Sequence, residues 1–402
     1  MTSVWTKSTA LKSTVGYQAM FCSRSISQSV PLRQPLSPYS ISQSRNLFQS
    51  KPSRAFSTHA NNMHVLLTGG SGFIAFHCLD SLLTRGHSVV VTVRSQDKFN
   101  KIKASHPNVG SDKLSYAIVE DISQEGAFAE AVKSDPPFDA VLHTASPFHF
   151  KAKDVQKDLL DPAVVGTTDI LKQIKKSAPS VKRVVITSSF ASIINPSKGA
   201  WPGKTYSEED WSPITHEQAL ETPQAGYRAS KKFAEQAAWE FVEKEKPGFS
   251  ITTLCPPSVF GPVNKHLQSL ESLNTSNERM RDMVAGKMKD KLAPTGTYIW
   301  IDVRDLADLH VLAMEKEEAA NQRYFTTAGL FANTDIVEVI GREFPEYKDG
   351  LPSGDALAEG KYPADGVYQA NNKKATDLLG GKWRSLDESV RDTVKSLKEI
   401  GA

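Results

Sequence analysis

The stretch from Val65 to Arg85 constrains this chain most: an apolar strand, Val65-Leu66-Leu67, passes through the turn Thr68-Gly69-Gly70-Ser71-Gly72 into an amphipathic helix from Phe73. The pattern then repeats. Gly86-His87 ends the helix, and Val89-Val90-Val91-Thr92-Val93 makes a β-branched second strand. Leu114 to Val119, Ala140-Val141-Leu142-His143, Val184-Val185-Ile186 and Ile251-Thr252-Thr253-Leu254 read as further strands, the last stopped by Cys255-Pro256-Pro257. Short apolar runs alternating with helical stretches predict an α/β fold, a doubly wound parallel sheet covered by helices. Past Pro256 the pattern becomes irregular, with a helix near Met280 and a late one from Leu386 to Ile400, as expected of a smaller C-terminal substrate-binding lobe.

In the first turn, Gly69, Gly72 and Ala75 form a Gly-x-x-Gly-x-x-Ala spacing. Small residues let the backbone approach a pyrophosphate, and the helix N-terminus meets its negative charge. Tight turns need glycine anyway, so the spacing carries weight only because a strand precedes it and an amphipathic helix follows. That context predicts a Rossmann-type dinucleotide site contacted by Gly69, Gly70, Ser71, Gly72, Phe73 and Ile74. The end of the second strand selects the cofactor. An acid there binds ribose hydroxyls, whereas a basic residue accommodates a 2′-phosphate. Arg94, followed by Lys98, predicts NADP(H); Asp97 is a competing acid, and solvated surface charge is the alternative for both cations. Asp121-Ile122, after the third strand, is a candidate adenine contact, with helix capping by Asp121 or Ser123 the equal alternative.

Further along stands Tyr227-Arg228-Ala229-Ser230-Lys231. Residues four apart on a helix share a face, so the phenol and the ammonium can enter one pocket. A Tyr with a pKa near about 10 exchanges protons poorly at neutral pH, and an adjacent cation is expected to lower that value. A surface helix is the plain alternative on spacing alone. The helix from Tyr227 to Lys246 follows, however, the apolar strand that ends in Thr187-Ser188-Ser189, and the chain already carries the glycine turn. These three parts fit a nicotinamide-dependent reductase.

The 402 residues allow two or three domains. A formal charge of +3 hides an asymmetry, because residues 1 to 62 hold seven Lys or Arg, fourteen Ser and no acid, leaving the remainder mildly acidic. That body lacks the basic surface of a nucleic-acid binder. No segment reads as membrane-spanning. Residues 1–62 suit a mitochondrial transit peptide, with matrix-protease cleavage after Phe56 in Arg54-Ala55-Phe56-Ser57. The alternatives are a Ser-rich extension without targeting function, or translation from Met63 and a cytoplasmic protein. The expected domains are thus 1–62, a leader; 63–255, the cofactor domain; and 256–402, mainly the substrate lobe, interleaved with the core. Cys22, Cys78 and Cys255 are too few and too scattered for a disulfide framework or a metal site, and suit a reducing compartment. No His-x-x-x-His pair occurs among the ten histidines, so no metal is expected.

At this level of detail the chain resembles the extended short-chain dehydrogenase/reductases, the NAD-dependent epimerase/dehydratase family, in its dihydroflavonol-reductase-like branch. It is similar there to fungal NADPH-dependent methylglyoxal and isovaleraldehyde reductases. The likeness runs from about Met63 to Gly401. It rests on Val93-Arg94-Ser95-Gln96-Asp97-Lys98, Val141 through Phe148, Tyr227 through Phe241, Val259-Phe260-Gly261-Pro262 and Ile301-Asp302-Val303-Arg304-Asp305. The resemblance implies a triad of Ser189, Tyr227 and Lys231 that reduces a small carbonyl substrate; Ser188 is the local rival for the serine role, and the second Ser of Thr187-Ser188-Ser189 corresponds better to the family's position. Hydride would come from the nicotinamide and a proton from Tyr227, Ser189 would steady the carbonyl oxygen, and Lys231 would hold the ribose. It also implies cofactor contacts from Thr144, Ala145, Pro256, Pro257, Ser258, Val259 and Ser276, and a monomer or homodimer. Ser146, Phe148 and Phe190 are expected in the substrate pocket, with Phe150 and Ile194 beside them; core packing is the alternative for the apolar ones.

Two departures stand out. Ala75 replaces the third glycine, and the segment from Lys198 to Gly203 does not follow the branch. Ile301 through Asp305 carries two acids and an arginine, but capping of the helix that follows by Asp302 or Asp305 is the expected role. Three rival functions share this fold. A sugar-nucleotide epimerase or dehydratase is disfavoured by Phe190-Ala191 where dehydratases place an acid pair. A hydroxysteroid-type dehydrogenase differs only in pocket loops. A non-catalytic NADP(H)-sensing scaffold usually loses Tyr or Lys, both of which are kept here.

Overall fold

The computed structural model describes residues 62–146, 152–264, 270 and 273–401. The leader expected over 1–62, all but its last residue, and the pocket candidates Phe148 and Phe150 lie outside the described residues.

Seven parallel strands form the central sheet. β1 (His64–Thr68), β2 (Ser88–Val93), β3 (Leu114–Ile118), β4 (Ala140–His143) and β5 (Arg183–Thr187) are joined by Ser250–Cys255 and Gln322–Phe325. From one edge the order is Gln322–Phe325, Ser250–Cys255, β5, β4, β1, β2, β3, every neighbouring pair parallel. The winding reverses between β1 and β4. Ligands of such sheets sit outside the carboxyl ends of the strands at that reversal.

The strand alternation decides which helix covers which face. Val65 and Leu67 of β1 point with Val89 and Val91 toward α1 (Phe73–Thr84) and the helix Val303–Glu315. Leu66, Val90 and Val141 face the other way, onto α3 (Asp161–Ser177) and the long helix Pro223–Glu245. With both faces covered, the strands carry the near-continuous apolar runs seen in the sequence. α2 (Gln96–Ser105) follows β2 and buries Ile102 on the same face as α1.

The lobe is built on a second, three-stranded sheet of Ser258–Phe260, Ile299–Asp302 and Gly329–Leu330. Helices Thr275–Val284, Asn333–Glu343 and Leu386–Glu399 pack a separate core around Phe260, Trp300 and Phe331. Val303–Glu315 and Gln322–Phe325, although past residue 255, belong to the central layer, so the chain threads the two parts alternately. Asp302 caps Val303–Glu315, its carboxylate accepting from the Arg304 N–H at 2.8 Å. Asp305 acts elsewhere. Its carboxylate accepts from the Arg384 N–H at 2.8 Å and pairs with that guanidinium, tying the late helix region to the core.

Candidate active site

The glycine turn is shaped for close approach. Gly69 has φ +72°, and a Cβ there would fall 3.0 Å from the Ala145 Cα; at Gly70 one would fall 2.7 Å from the Val91 Cβ. Backbone hydrogen bonds brace the turn, from Gly70 N to Thr92 O (2.9 Å) and from Gly72 N to Gly69 O (2.8 Å). Gly72 begins α1 without a side-chain cap or an acid in the first turn. A helix start left in this state suits an anion. Ala75 is buried in the core behind the turn, which is why a methyl group is accepted there.

Across the switch point, Thr68 organises the exit of β4. Its hydroxyl oxygen accepts from the Thr144 and Ala145 N–H groups, both at 3.1 Å, and lies 3.0 Å from His143 Nδ1. The Thr144 hydroxyl donates to the Thr68 carbonyl at 2.7 Å. Thr144 and Ala145 are thereby held against Gly69. Thr68 carries no family signature, and only its position at a strand end could have announced this role. Burial, and secondarily the charge of Lys231, pushes His143 down to about 4, so it is neutral at working pH.

Arg94 and Lys98 stand exposed at the end of β2 and the start of α2, and neither forms a salt bridge among the described residues. Asp121 caps its own loop: Oδ1 accepts from the Ser123 N–H (2.9 Å) and hydroxyl (2.6 Å), and Oδ2 from the Gln124 amide (3.0 Å). Those bonds, with a smaller contribution from Arg94, hold its carboxyl below the ordinary value. The residues that follow form turns, so Asp121 holds a turn and caps no helix there. Ile122 packs onto α3 beside Gly166.

The long helix begins where Thr222 accepts from the Ala225 N–H at 3.1 Å and Pro223 occupies the first turn. It carries Tyr227 and Lys231 into one region with Ser189. Tyr227 deviates from expectation. Its phenol is raised, not lowered, because burial outweighs the hydrogen bond with Ser189 that opposes it. The ammonium of Lys231 lies 5.6 Å from the Tyr227 ring centroid and donates instead to the Ser146 hydroxyl at 2.6 Å. Burial lowers Lys231 itself to about 8.

Ser188 and Ser189 are set apart by a buried ion pair that sequence reasoning missed. Glu235 Oε2 accepts from the Ser188 and Ser192 hydroxyls, each at 2.6 Å, and Oε1 accepts from Thr253 at 2.7 Å and from Arg323 Nε at 2.8 Å. Arg323 also donates to the Glu208 and Asp210 carbonyls (2.7 and 2.6 Å) and lies 3.7 Å over the Trp211 ring. Burial alone would raise the Glu235 pKa; the charge and hydrogen bonds of Arg323 and the two serines reverse that and lower it. Ser188 is thus committed to scaffolding, and Ser189 is the serine at Tyr227. The available signal was an acid four residues after Lys231 and eight after Tyr227, on the face that meets the sheet.

The remaining candidates divide. Pro256 accepts the Phe190 N–H at 2.8 Å, which pins the Ser189 turn to the loop Pro256–Val259. Ser276 accepts the Val259 N–H at 3.2 Å, bracing that same loop from the helix Thr275–Val284. Phe190 corrects the pocket expectation. Only 3% exposed, it packs among Tyr206, Phe325 and Tyr368, because the turn after Ser189 directs its ring into the core, and Ile194 packs on the same cluster.

The model of the NAD dependent epimerase/dehydratase family matches residues 65–326. The chain is 46% identical over 336 residues to the ketoreductase azaE of Aspergillus niger, covering 83% of this chain and 97% of that one. It is 38% identical over 340 residues to the NADPH-dependent methylglyoxal reductase GRE2 of Saccharomyces cerevisiae, covering 83% and 98%. Among solved structures, Gre2 from Candida albicans in complex with NADPH superposes with a TM-score of 0.77 at 37% identity, over 85% of this chain and all of that one.

Proposed function

The chain belongs to the NAD dependent epimerase/dehydratase family, and from that premise we infer that it is an NADPH-dependent carbonyl reductase, converting aldehydes or ketones to alcohols. The observation that carries the reading is the grouping of Tyr227, Ser189 and Lys231 beside the carboxyl ends of β1 and β4. The reductases and ketoreductase among its relatives support it.

The residues present fit the cofactor. The turn at Gly69 and Gly70 has no room for side chains, α1 opens uncapped, and Arg94 with Lys98 offers cations where a 2′-phosphate would lie. Thr144, Ala145 and the loop Pro256–Val259 would border the nicotinamide half. When bound, NADPH supplies the hydride.

The protein supplies the proton and the orientation. A phenol is protonated at neutral pH, and burial raises Tyr227 further, so it enters the reaction as an acid and donates to the carbonyl oxygen. Ser189, whose single hydroxyl hydrogen meets the phenol in the free site, would turn that hydrogen to the carbonyl oxygen as negative charge develops there. Lys231 places a positive charge beside the Tyr227 ring, where it stabilises the phenolate left after transfer. Ser146 holds that ammonium. Methylglyoxal, isovaleraldehyde and dihydroflavonol-like ketones are the substrates proposed for the first assay.

The deciding experiment is NADPH oxidation over those carbonyls by the wild-type protein and Tyr227→Phe. Turnover should fall about a hundredfold or more in the variant, while NADPH affinity, followed by cofactor fluorescence, stays close to wild type. Turnover that survives in Tyr227→Phe would remove the phenol from the mechanism.

A further inference from the structure

Two serines that flank Ser189 hang from one buried acid, and that acid stands on the helix of Tyr227. Glu235 is 2% exposed. It follows Tyr227 by eight residues, so about 12 Å of one helix separates the two. Glu235 Oε1 is anchored to the central sheet, by Thr253 at 2.7 Å and Arg323 Nε at 2.8 Å. Oε2 is left for the hydroxyls of Ser188 and Ser192, each at 2.6 Å. Buried ion pairs elsewhere lack such donors: among the described residues Asp302 accepts from Arg304, and Asp305 from Arg384, with no hydroxyl at either acid.

Between the two ties lies the turn that presents Ser189. Its carbonyl accepts from the Ser192 N–H at 2.9 Å, and its hydroxyl oxygen accepts from the Ala191 N–H at 3.1 Å. Ser192 Oγ reaches two acceptors, Glu235 Oε2 at 2.6 Å and the Ser189 carbonyl at 2.7 Å, but carries one hydrogen. The carboxylate, as the charged acceptor, takes it. Arg323 Nη2 donates to the same hydroxyl oxygen at 3.0 Å and fixes that orientation. Without the Glu235 charge, the Ser192 hydrogen would turn to the Ser189 carbonyl. Ser188 would keep only the Ser192 oxygen, at 3.3 Å. The acid therefore decides the hydrogen bonding on both sides of Ser189, and it does so from the element that carries Tyr227 and Lys231.

We propose that Glu235 is a positioning residue for the reduction: through Ser188 and Ser192 it holds the Ser189 hydroxyl where it and Tyr227 meet one carbonyl oxygen. This rests on the reductase reading above. A reacting group misplaced by about 1 Å costs about a hundredfold in rate. The test removes both ties while leaving the Glu235–Arg323 pair, by combining Ser188→Ala with Ser192→Ala. In that double variant kcat for carbonyl reduction should fall about tenfold or more, with NADPH affinity close to wild type by cofactor fluorescence. Glu235→Gln should match it, and the double variant carries the test if that protein does not fold. In a Ser189→Ala background the two substitutions should cost almost nothing further in kcat, because the group through which they act is gone. A wild-type kcat in the double variant would overturn the proposal. So would a loss that persists undiminished in Ser189→Ala, or a parallel loss of NADPH affinity. Absence of any carbonyl turnover in the wild type would count against the reductase reading alone. In that event the Tyr227 phenol decides, followed by carbon NMR of labelled tyrosine side chains, with Tyr227→Phe assigning the signal. The Ser189 hydrogen bond lowers that phenol's proton affinity, so loss of both ties should move its titration upward. A titration left unchanged by the double variant refutes the positioning role.

Discussion

At the scale of single residues, the triad candidates were legible because their chemistry is tied to spacing: four residues on a helix bring Tyr227 and Lys231 together whatever surrounds them. Their proton affinities were not legible. Burial raises Tyr227 and lowers Lys231 to about 8, and burial depends on what packs around the helix rather than on neighbours in sequence. A protonated Lys231 favours transfer from Tyr227, so kcat/KM for reduction should be full below pH about 8 and decline above it as the ammonium is lost. Stopped-flow or steady-state profiles would show this, and Lys231→Arg, charged throughout, should move the decline to higher pH. A profile flat through pH about 9 in the wild type would contradict the role. Arg94 makes a separate prediction at this scale. Arg94→Ala should weaken NADPH binding about tenfold or more while changing NADH little, since only the former carries a 2′-phosphate for the guanidinium. Equal losses in fluorescence titrations of the two cofactors would exclude that contact.

At the scale of elements, Glu235 joins four segments: the long helix that bears it, β5 through Ser188, Ser250–Cys255 through Thr253 and the edge strand through Arg323. Those segments are remote in sequence, so nothing in any one of them announces the pair. Only the acid on the sheet-facing side of the helix hinted at it. Glu235→Gln leaves Arg323 buried without its anion and should destabilise the protein by about 3 kcal/mol, read from urea unfolding with NADPH binding as a check on the native site. A change within experimental error would show that the pair is not needed to hold the elements together. Because the folded pKa of Glu235 is lowered, its contribution is full above the ordinary carboxylate value and is lost as pH falls from there through the lower folded value. The same element-level view separates the two serines. Thr187 reaches His310 at 2.7 Å on one face and Ser188 reaches Glu235 on the other, while Ser189 lies past the strand end, where it meets Tyr227. For Phe190 the sequence left pocket wall and core packing open, since adjacency to Ser189 does not say which way a turn sends the next ring, and the ring packs in the core.

For the whole molecule, the strand runs Val65-Leu66-Leu67, Val89 to Val93 and Val184-Val185-Ile186, together with the glycine spacing, determined the fold class and the place of the cofactor turn. Periodicity and a backbone that needs φ > 0 at Gly69 are local properties, and a sequence states local properties directly. The interleaving is different in kind. That Gln322–Phe325 returns to complete the sheet beside Ser250–Cys255, that the helix Val303–Glu315 covers α1, and that Thr68 clamps the loop after β4 all follow from long-range packing. So do the partial burial of Tyr227 and Lys231 and the Glu235–Arg323 pair. Each depends on which surfaces exclude water from one another, and only the closed tertiary structure decides that.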